Sequence, residues 1–202
     1  MKKETYFISD LHLNQKKAIE LYSRPFKNIE EMNDTIIQNI NDLVKKEDEL
    51  WVLGDFGHGD RNAVRVLRDC IECENVHLVR GNHDKNYSND DIFQSCREYK
   101  ELKTEYGRFI LFHYPISEWN TAHYGSVHLH GHIHSMGDEY NRKNLKQYYR
   151  DRVPPFVHPA SIPELHLRIF DVGVDANDFR PVSLSELAEL MQLEPIRKNS
   201  RN

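Results

Sequence analysis

The chain has 202 residues, 39% of them hydrophobic, which is enough to bury the core of one domain. Its net charge of −5 argues against broad, non-specific nucleic-acid binding, because such binding needs a basic surface. No apolar run approaches the ~20 residues that a membrane-spanning helix needs, so we expect no membrane partner.

Along the chain, short apolar runs have the length of buried strands, and polar residues follow each of them directly. Side chains that come just after strand ends converge at one edge of a sheet, where α/β folds place their sites. These predicted strands are Glu4–Ile8, Leu50–Leu53, Val76–Val79, Phe109–Phe112 and Val127–Leu129.

Other segments predict helices between and after these strands. Ile29–Lys46 carries apolar residues at helical spacing. Asp60 can cap a second helix that runs to Ile71. Ser183 and the glutamate three residues later form a capping box for a last helix, Leu184–Leu193. The alternation of strands and helices indicates an α/β domain.

Two further segments predict strands in the second half of the chain. Tyr99–Tyr106 and Arg108–Phe112 flank Gly107 and predict a hairpin. Leu165–Phe170 alternates apolar and polar residues and predicts another strand. At the other end, Met1–Glu4 leads directly into the first predicted strand, so we expect no signal peptide and a cytoplasmic location.

The region between the last motif and the last strand predicts a loop-rich insertion. Prolines mark residues 135–163 as irregular, and this insertion could form a lid. Within it, Tyr140–Arg152 interleaves cations with tyrosines, which suits a nucleotide or a single strand. The alternative is a solvated helix or loop. We predict one domain over residues 1–196, followed by a polar tail at 197–202.

Polar motifs that follow the predicted strands supply residues of metal-ligand type: two carboxylates, one carboxamide and four imidazoles. This inventory fits two divalent metals that share one carboxylate, an arrangement suited to attack on a phosphate ester. Two such ions bring about four positive charges and the two carboxylates remove about two, so the site stays attractive to an anion. The residues are Asp10, His12, Asp55, Asn82, His113, His132 and His134.

The order Asp-x-His, Gly-Asp, Gly-Asn-His-Asp, His, Gly-His-x-His, which spans Asp10 to His134, resembles the calcineurin-like metallophosphoesterase superfamily. The resemblance implies an α/β (α+β) fold, a sandwich of two mixed β-sheets flanked by helices, with the metal site at the C-terminal strand ends. It also implies a metal-dependent hydrolase of phosphate esters. Gly-Asn-His-Asp stands where protein serine/threonine phosphatases carry Gly-Asn-His-Glu, so a protein phosphatase is not expected.

The same resemblance implies a role for each motif residue. The implied ligand sets are Asp10, His12, Asp55 and His134 for one metal, and Asp55, Asn82, His113 and His132 for the other, with Asp55 as the bridge. A hydroxide held between the metals would attack the phosphorus. His83 would protonate the leaving oxygen, and Asp84 would orient His83 through its other ring nitrogen.

Several of these residues have simpler interpretations. Asp84 could cap a following helix, and Asn82 could serve only a turn. Five histidines outside the motifs are interpreted as core or surface residues: His77, His123, His128, His158 and His166. Three cysteines do not suggest a disulfide framework, and the C-x-x-C pattern at Cys70 falls at the end of a helical pattern rather than at its start, so a redox or zinc site is not expected there.

Residues outside the metal motifs are candidates for substrate contacts. Arg24 and Arg180 could clamp a phosphate oxygen, although Arg180 could instead hold the C-terminal segment against the sheet. His58, three residues past the proposed bridge, could reach the site or be a loop residue.

Three segments resemble a compact prokaryotic and phage-borne branch of the superfamily: Arg24–Phe26, Asp171–Asp175 and Phe179–Ser183. Members of that branch often carry a further histidine shortly after Asp-x-His, where this chain has Asn14 and Gln15. We expect this departure to affect substrate contacts rather than metals.

The sequence therefore predicts a dinuclear metal-dependent phosphoesterase that acts on a phosphomonoester or phosphodiester, including nucleotides. The alternatives are a nuclease or end-processing phosphatase, and a non-catalytic metal-binding scaffold. Mixed nitrogen and oxygen ligands accept Mn, Fe, Zn, Co or Ni, and Mn²⁺ is the first choice in vitro. Relatives in the superfamily suggest a monomer or a homodimer.

Overall fold

Two mixed β-sheets pack against each other in this computed structural model, which describes residues 3–84, 91–135 and 168–196. The first sheet has the strand order β4-β3-β2-β1-β9, with strands β1 (Thr5–Ile8), β2 (Glu49–Val52), β3 (Asn75–Val79), β4 (Ser95–Arg97) and β9 (Val182–Ser183). The second sheet has the order β5-β6-β7-β8, with strands β5 (Lys100–Thr104), β6 (Gly107–Leu111), β7 (Val127–His130) and β8 (Ile169–Asp171).

Strand directions are mixed in both sheets, as the sequence predicted. β1, β2, β3 and β4 run parallel, and β9 lies antiparallel beside β1. In the second sheet β5 and β6 form the predicted antiparallel hairpin, while β6, β7 and β8 are parallel. The parallel strands bring their carboxyl ends to a common edge, which is where the motif residues follow.

The core between the sheets is built from the alternate residues of strands in both sheets. Phe7 of β1 and Phe109 of β6 are fully buried and stack with ring centroids 6.2 Å apart. Leu53, Val79 and Leu129 belong to the same buried cluster. Because a stacked aromatic pair and its aliphatic neighbours join the two sheets, the strand ends that carry the motifs are held at fixed separations.

Four α-helices are present in the described residues: α1 (Lys17–Leu21), α2 (Ile29–Leu43), α3 (Arg61–Asp69) and α4 (Leu184–Leu190). Short 3₁₀ helices occur at Ala122–Tyr124 and Val174–Ala176. The outer face of the first sheet is covered by apolar side chains of α2 and α3, which form a second buried cluster with the strands.

The helix starts agree with the sequence, and three helix ends do not: α3 ends at Asp69, two residues before the predicted Ile71. Asp60 caps α3 and Ser183 forms the predicted capping box of α4. However, α2 ends three residues before the predicted Lys46, because Val44 leaves the helix in an extended conformation and is buried. α4 ends at Leu190 rather than Leu193, where Gln192 adopts a left-handed conformation.

Some predictions fall on residues outside the described part of the chain. These are most of the insertion at 135–163 with its Tyr140–Arg152 segment, the tail at 197–202, and the first three residues of the predicted strand Leu165–Phe170. Ile169 and Phe170 do lie in β8. In the described part of the chain, no helix combines the length and the apolar character needed to cross a lipid bilayer.

Candidate metal centre

The ends of strands from both sheets bring the predicted ligands to one place. Asp10 and His12 follow β1, Asp55 follows β2 and Asn82 follows β3, whereas His113 follows β6 and the Gly-His-x-His loop follows β7. The backbone of most of these ligands is left-handed, a conformation that costs about 1–3 kcal/mol for a residue other than glycine or asparagine. The φ angles are 58° for Asp10, 49° for His12, 55° for Asp55, 74° for His132 and 45° for His134.

The ligand atoms form two overlapping groups, one of Asp10, His12 and His134 and the other of Asp10, Asp55 and His113, and Asp55 Oδ2 lies near a histidine of each. The Nε2 atoms of His12 and His134 lie 3.3 Å apart, and Asp55 Oδ2 lies 3.6 Å from His12 Nε2. The same Asp55 oxygen lies 3.5 Å from His113 Nε2, which in turn lies 3.1 Å from Asn82 Oδ1. One carboxylate oxygen therefore faces both predicted ligand sets, as a bridging ligand must.

Hydrogen bonds to the outer ring nitrogens fix the tautomers of these histidines. The Nδ1 of His134 donates to Asp175 Oδ2 at 2.8 Å, and that of His113 donates to the Leu53 carbonyl at 2.8 Å. His12 Nδ1 lies 2.6 Å from Gln15 Oε1. With the proton on Nδ1, each Nε2 presents a lone pair to the centre of the site.

This convergence of electron pairs fits divalent cations. Two Nε2 lone pairs only 3.3 Å apart repel each other unless a positive charge lies between them. Asp10 is fully buried, its Oδ1 lacks a hydrogen-bond partner among the described residues, and its Oδ2 accepts from the His132 backbone at 2.9 Å. A buried oxygen without a donor costs free energy unless a ligand satisfies it. The donor set therefore suits metals such as those expected from the sequence.

Burial and neighbouring charges set the protonation states of the free site. Burial raises the pKa of Asp10 to about 7, and burial lowers the pKa of His12 to about 3. Burial also acts to raise the pKa of Asp55, but the neighbouring His113 and the backbone N–H of His83 hold that pKa at about 2. Asp55 is thus ionised and His12 neutral at pH 7, which are the forms that bind metals.

His83 lies beside the ligand groups rather than within them. Its side chain is exposed, its backbone N–H donates to Asp55 Oδ1 at 2.8 Å, and its ring centroid lies 5.2 Å from that of His12. An exposed imidazole next to buried ligands can reach a substrate that approaches the site from solvent. The geometry agrees with the position expected for a proton donor.

The predicted contact between Asp84 and the His83 ring is corrected by the structure. Asp84 is fully buried, and Oδ2 accepts from the backbone N–H groups of Asp55 at 2.7 Å and Gly81 at 2.8 Å. Its Oδ1 accepts from Phe56 N–H at 3.1 Å. Asp84 therefore connects the loop that carries Asp55 to the loop that carries His83. Its buried charge is stabilised by hydrogen bonds from the backbone N–H groups of both loops.

The candidate phosphate clamp at Arg24 is also corrected. Its side chain is completely buried and every N–H donor has an acceptor, so none is left for a substrate. These acceptors are both Asp175 oxygens, the carbonyls of Asp10 and Leu11, and Met32 Sδ.

The other two candidate substrate residues lie in different surroundings. Arg180 forms an ion pair with Glu186 of α4 at 2.9 Å, which matches the alternative role of holding the C-terminal segment. His58 is exposed in the loop after Asp55, and its backbone N–H donates to Leu13.

Three residues near the ligands were not predicted to act there. Gln15 accepts from His12, so the departure at this position contacts a predicted metal ligand, whereas we expected it to affect substrate contacts. Asp175 accepts from His134. Tyr22 stacks on the His134 ring with centroids 3.4 Å apart. Only Gln15 had a signal in the sequence, since it comes three residues after His12 and can fold back onto it.

A cavity of about 500 Å³ opens beside His132 and His134. Polar and apolar side chains both line it. The lining residues are Leu21, Tyr22, Ser23, His132, Ile133 and His134.

Several histidines outside the motifs have surroundings of their own, and His130 is buried directly before the Gly-His-x-His loop, where its Nδ1 lies 2.9 Å from the Gly131 carbonyl. His128 is fully buried with both ring nitrogens 3.2 Å from backbone carbonyls, and His123 is about half exposed, as predicted for core and surface residues. His77 bonds to Glu49 and Ser95. His158 and His166 lie outside the described residues. The three cysteines are free thiols.

Comparisons with known proteins show which family this chain resembles. A family model described as the calcineurin-like phosphoesterase superfamily domain matches residues 4–149. The uncharacterized protein MJ1445 of Methanocaldococcus jannaschii is 30% identical over 192 residues, which cover 94% of this chain and 92% of that protein. The structure of the protein of unknown function AQ665 from Aquifex aeolicus matches with a TM-score of 0.67 at 25% identity, covering 94% of this chain and 100% of that one.

Proposed function

This chain belongs to the calcineurin-like phosphoesterase superfamily, and from that premise we propose that it is a dinuclear metal-dependent phosphoesterase. Its substrate is a phosphomonoester or phosphodiester, with nucleotides among the candidates. The observation that carries the proposal is the position of Asp55 Oδ2, 3.6 Å from one ligand histidine and 3.5 Å from another. A carboxylate oxygen shared in this way is what a pair of bridged ions requires.

In this proposal each ion would have four protein ligands, one of which is shared. Asp10, His12, Asp55 and His134 would hold one ion, and Asp55, Asn82, His113 and His132 would hold the other. When bound, the two ions supply positive charge to the phosphate oxygens and make a bound water acidic enough to attack at neutral pH. Mn²⁺ is the first ion to test, and Fe, Zn, Co and Ni suit the same mixture of nitrogen and oxygen donors.

The protein side chains position the reactants and move the proton. Asp55 stays ionised because its pKa is held at about 2, so it is a ligand throughout the neutral pH range. His83 is exposed beside His12 and donates a proton from its ring to the leaving oxygen. Asp84 keeps His83 in place indirectly, since it holds the backbone of both loops.

The cavity beside the ligands supports a substrate larger than inorganic phosphate. Its volume of about 500 Å³ can take the organic part of a small ester while the phosphate lies at the ligand groups. The intact ligand set favours an enzyme over the scaffold alternative. The nuclease alternative depends on the basic Tyr140–Arg152 segment, so it enters the experiment as a separate substrate.

The test is hydrolysis of bis-p-nitrophenyl phosphate, p-nitrophenyl phosphate and a short oligonucleotide, with Mn²⁺ and after chelation. We expect metal-dependent turnover of at least one substrate by the wild type, and its loss in Asp55→Asn, which removes the shared charge. His123→Ala is a matched control on the surface and should retain full activity. Absence of turnover on all three substrates, with two metals bound, would favour the scaffold.

A further inference from the structure

We propose that Arg24 and Asp175 form a positioning clamp that fixes the ligands of one metal ion, the ion held by Asp10, His12, Asp55 and His134. This Arg24–Asp175 clamp rests on the proposed metal centre and adds the C-terminal segment to it. Asp175 lies beyond residue 149, where the match to the family model ends, so the family match does not include it.

Every N–H group of the Arg24 guanidinium donates to an acceptor within the protein. Its Nε donates to Asp175 Oδ1 at 2.8 Å and one terminal nitrogen donates to Asp175 Oδ2 at 2.9 Å, which is a two-point contact between planar groups. The same guanidinium donates to the Asp10 carbonyl at 2.6 Å and the Leu11 carbonyl at 2.9 Å. Arg24 thus fixes the backbone of the loop that carries Asp10 and His12.

Asp175 also contacts a ligand. Asp175 Oδ2 accepts from His134 Nδ1 at 2.8 Å while it also accepts from Arg24. A carboxylate on the outer nitrogen of a ligand histidine fixes its tautomer and ring orientation. One ion pair therefore joins ligand loops that are about 120 residues apart in the chain, since His12 and His134 are separated by 122 positions.

The pair is buried. The side chain of Arg24 is 0% exposed and that of Asp175 is 3% exposed. Removing both charges from water is costly, and apolar residues of similar size often stabilise a fold as well or better. We explain the buried pair by its positioning role: it holds the carbonyls of Asp10 and Leu11 and the imidazole of His134 in one geometry.

The segment that carries Asp175 is itself built onto the first ligand loop. Ser9 donates from its backbone to the Val172 carbonyl, and Val174 donates back to the Ser9 carbonyl, both at 3.0 Å. Asp171 accepts from the Ser135 hydroxyl, directly after His134. The segment 171–175 therefore contacts two of the three loops that would supply ligands to this ion, the loops after β1 and β7.

Two ligands of the other ion have different supports. His113 is fixed by the Leu53 carbonyl, and Asp84 holds the loop before Asn82. His132 shares a loop with His134, and its backbone N–H donates to Asp10 Oδ2. Damage to the clamp should therefore weaken the binding of one ion more than that of the other. This selectivity separates a positioning role from a general contribution to folding, which would affect both ions equally.

The experiment measures Mn²⁺ binding to the full chain by competition with a chelator, together with the number of ions bound. In Asp175→Asn we expect one ion to bind about 10–100-fold more weakly while the other loses clearly less affinity. Arg24→Lys should act in the same direction, because an ammonium cannot supply the fork. Arg180→Gln, which breaks a half-exposed pair with Glu186, is the control and should bind both ions normally.

A second variant guards against misfolding. Arg24→Gln combined with Asp175→Asn removes both charges and leaves no unpaired buried ion. Wild-type affinity for both ions in Asp175→Asn and in the double variant would overturn the clamp. Weakening of both ions by the same factor would also overturn it. Failure of the wild type to bind two ions would instead overturn the proposed metal centre, so the two failures are distinguishable.

Discussion

At the scale of single residues, the site depends on where protons are held. His134, His113 and His12 each place Nδ1 on an oxygen acceptor and turn Nε2 inward. The acceptors differ in kind: a carboxylate, a backbone carbonyl and an amide. A carboxylate raises the basicity of a bound imidazole more than an amide does. Of the two histidines proposed for the same ion, we therefore expect His134 to donate its electron pair to the metal more strongly than His12.

The proton donor assignment gives a prediction for His83. His83→Ala should keep both metals, since its ring lies outside the ligand groups, and should lower kcat by about 10²–10⁴-fold. Metal content by elemental analysis and kcat with the best p-nitrophenyl ester are the measurements. His123→Ala is the control. Unchanged turnover in His83→Ala would remove the assignment.

The buried His128 gives a prediction for pH and stability. Burial lowers its pKa to about 3, and His130 on the same strand adds repulsion. The folded state therefore keeps His128 neutral, whereas the unfolded chain takes up a proton near pH 6.5. Its contribution is complete above pH 6.5 and is lost as the pH falls towards 3, by up to about 1.4 kcal/mol for each pH unit.

Substitution isolates that contribution. His128→Gln should show a smaller fall in unfolding free energy between pH 7 and pH 5 than the wild type. Urea unfolding in the presence of a chelator measures this slope without metal effects. Parallel pH dependences of the two proteins would contradict the prediction.

At the scale of elements, the strand-to-loop junctions combine glycines with ligands in close contact. A Cβ at Gly131 would overlap Ser9 Oγ and Asp10 Oδ2, and one at Gly81 would overlap Asp55 Oδ1. These glycines allow neighbouring strand ends to approach each other with ligands between them. The Gly-x motifs in the sequence therefore reflect space as well as backbone conformation.

Gly131→Ala tests this close approach. We expect weaker metal binding, because the new methyl group must displace Asp10 or Ser9. Gly107→Ala in the β5–β6 turn is the control: its φ of +118° makes alanine strained, but nothing lies within 4 Å of the added carbon. The control should lose stability and keep wild-type Mn²⁺ affinity in the same chelator titration. Normal metal binding by Gly131→Ala would show that the junction can adapt.

Elements with a strong local pattern could be predicted from the sequence, and those made by pairing could not. β1, β2 and α3 follow from apolar runs and a capping aspartate. In contrast, β9 has two residues and exists only because it pairs with β1. Likewise, the sequence suggested Arg24 as a substrate contact. Its partner Asp175 lies 151 positions later, so the neighbouring sequence does not show that the N–H groups of Arg24 are already paired.

At the scale of the whole molecule, the ligands come from both sheets. Asp10, His12 and Asp55 follow strands of the first sheet, and His113 and His134 follow strands of the second. Ions bound between them would connect the sheets at one end of the core that Phe7 and Phe109 occupy. The family resemblance predicted this sandwich in outline, while the distances between its ligands required the structure.

Metal binding should therefore raise the melting temperature. An ion at 100 times its dissociation constant adds about 2.7 kcal/mol to the free energy of unfolding. Thermal unfolding with Mn²⁺ and with chelator measures the difference. Asp55→Asn should lose most of it, because Asp55 faces both ligand sets. An equal Mn²⁺ effect in the variant would mean that the ion binds elsewhere.

The left-handed backbone at Asp10, His12, Asp55, His132 and His134 bears on how this protein could be evolved in the laboratory. Glycine relieves such strain, so at these positions function and stability favour different residues. A library selected for heat resistance under chelating conditions should collect glycine or asparagine at these positions. The same library selected in Mn²⁺ should retain the original residues. The two selections together would locate the metal site from sequence counts, without any assay of catalysis.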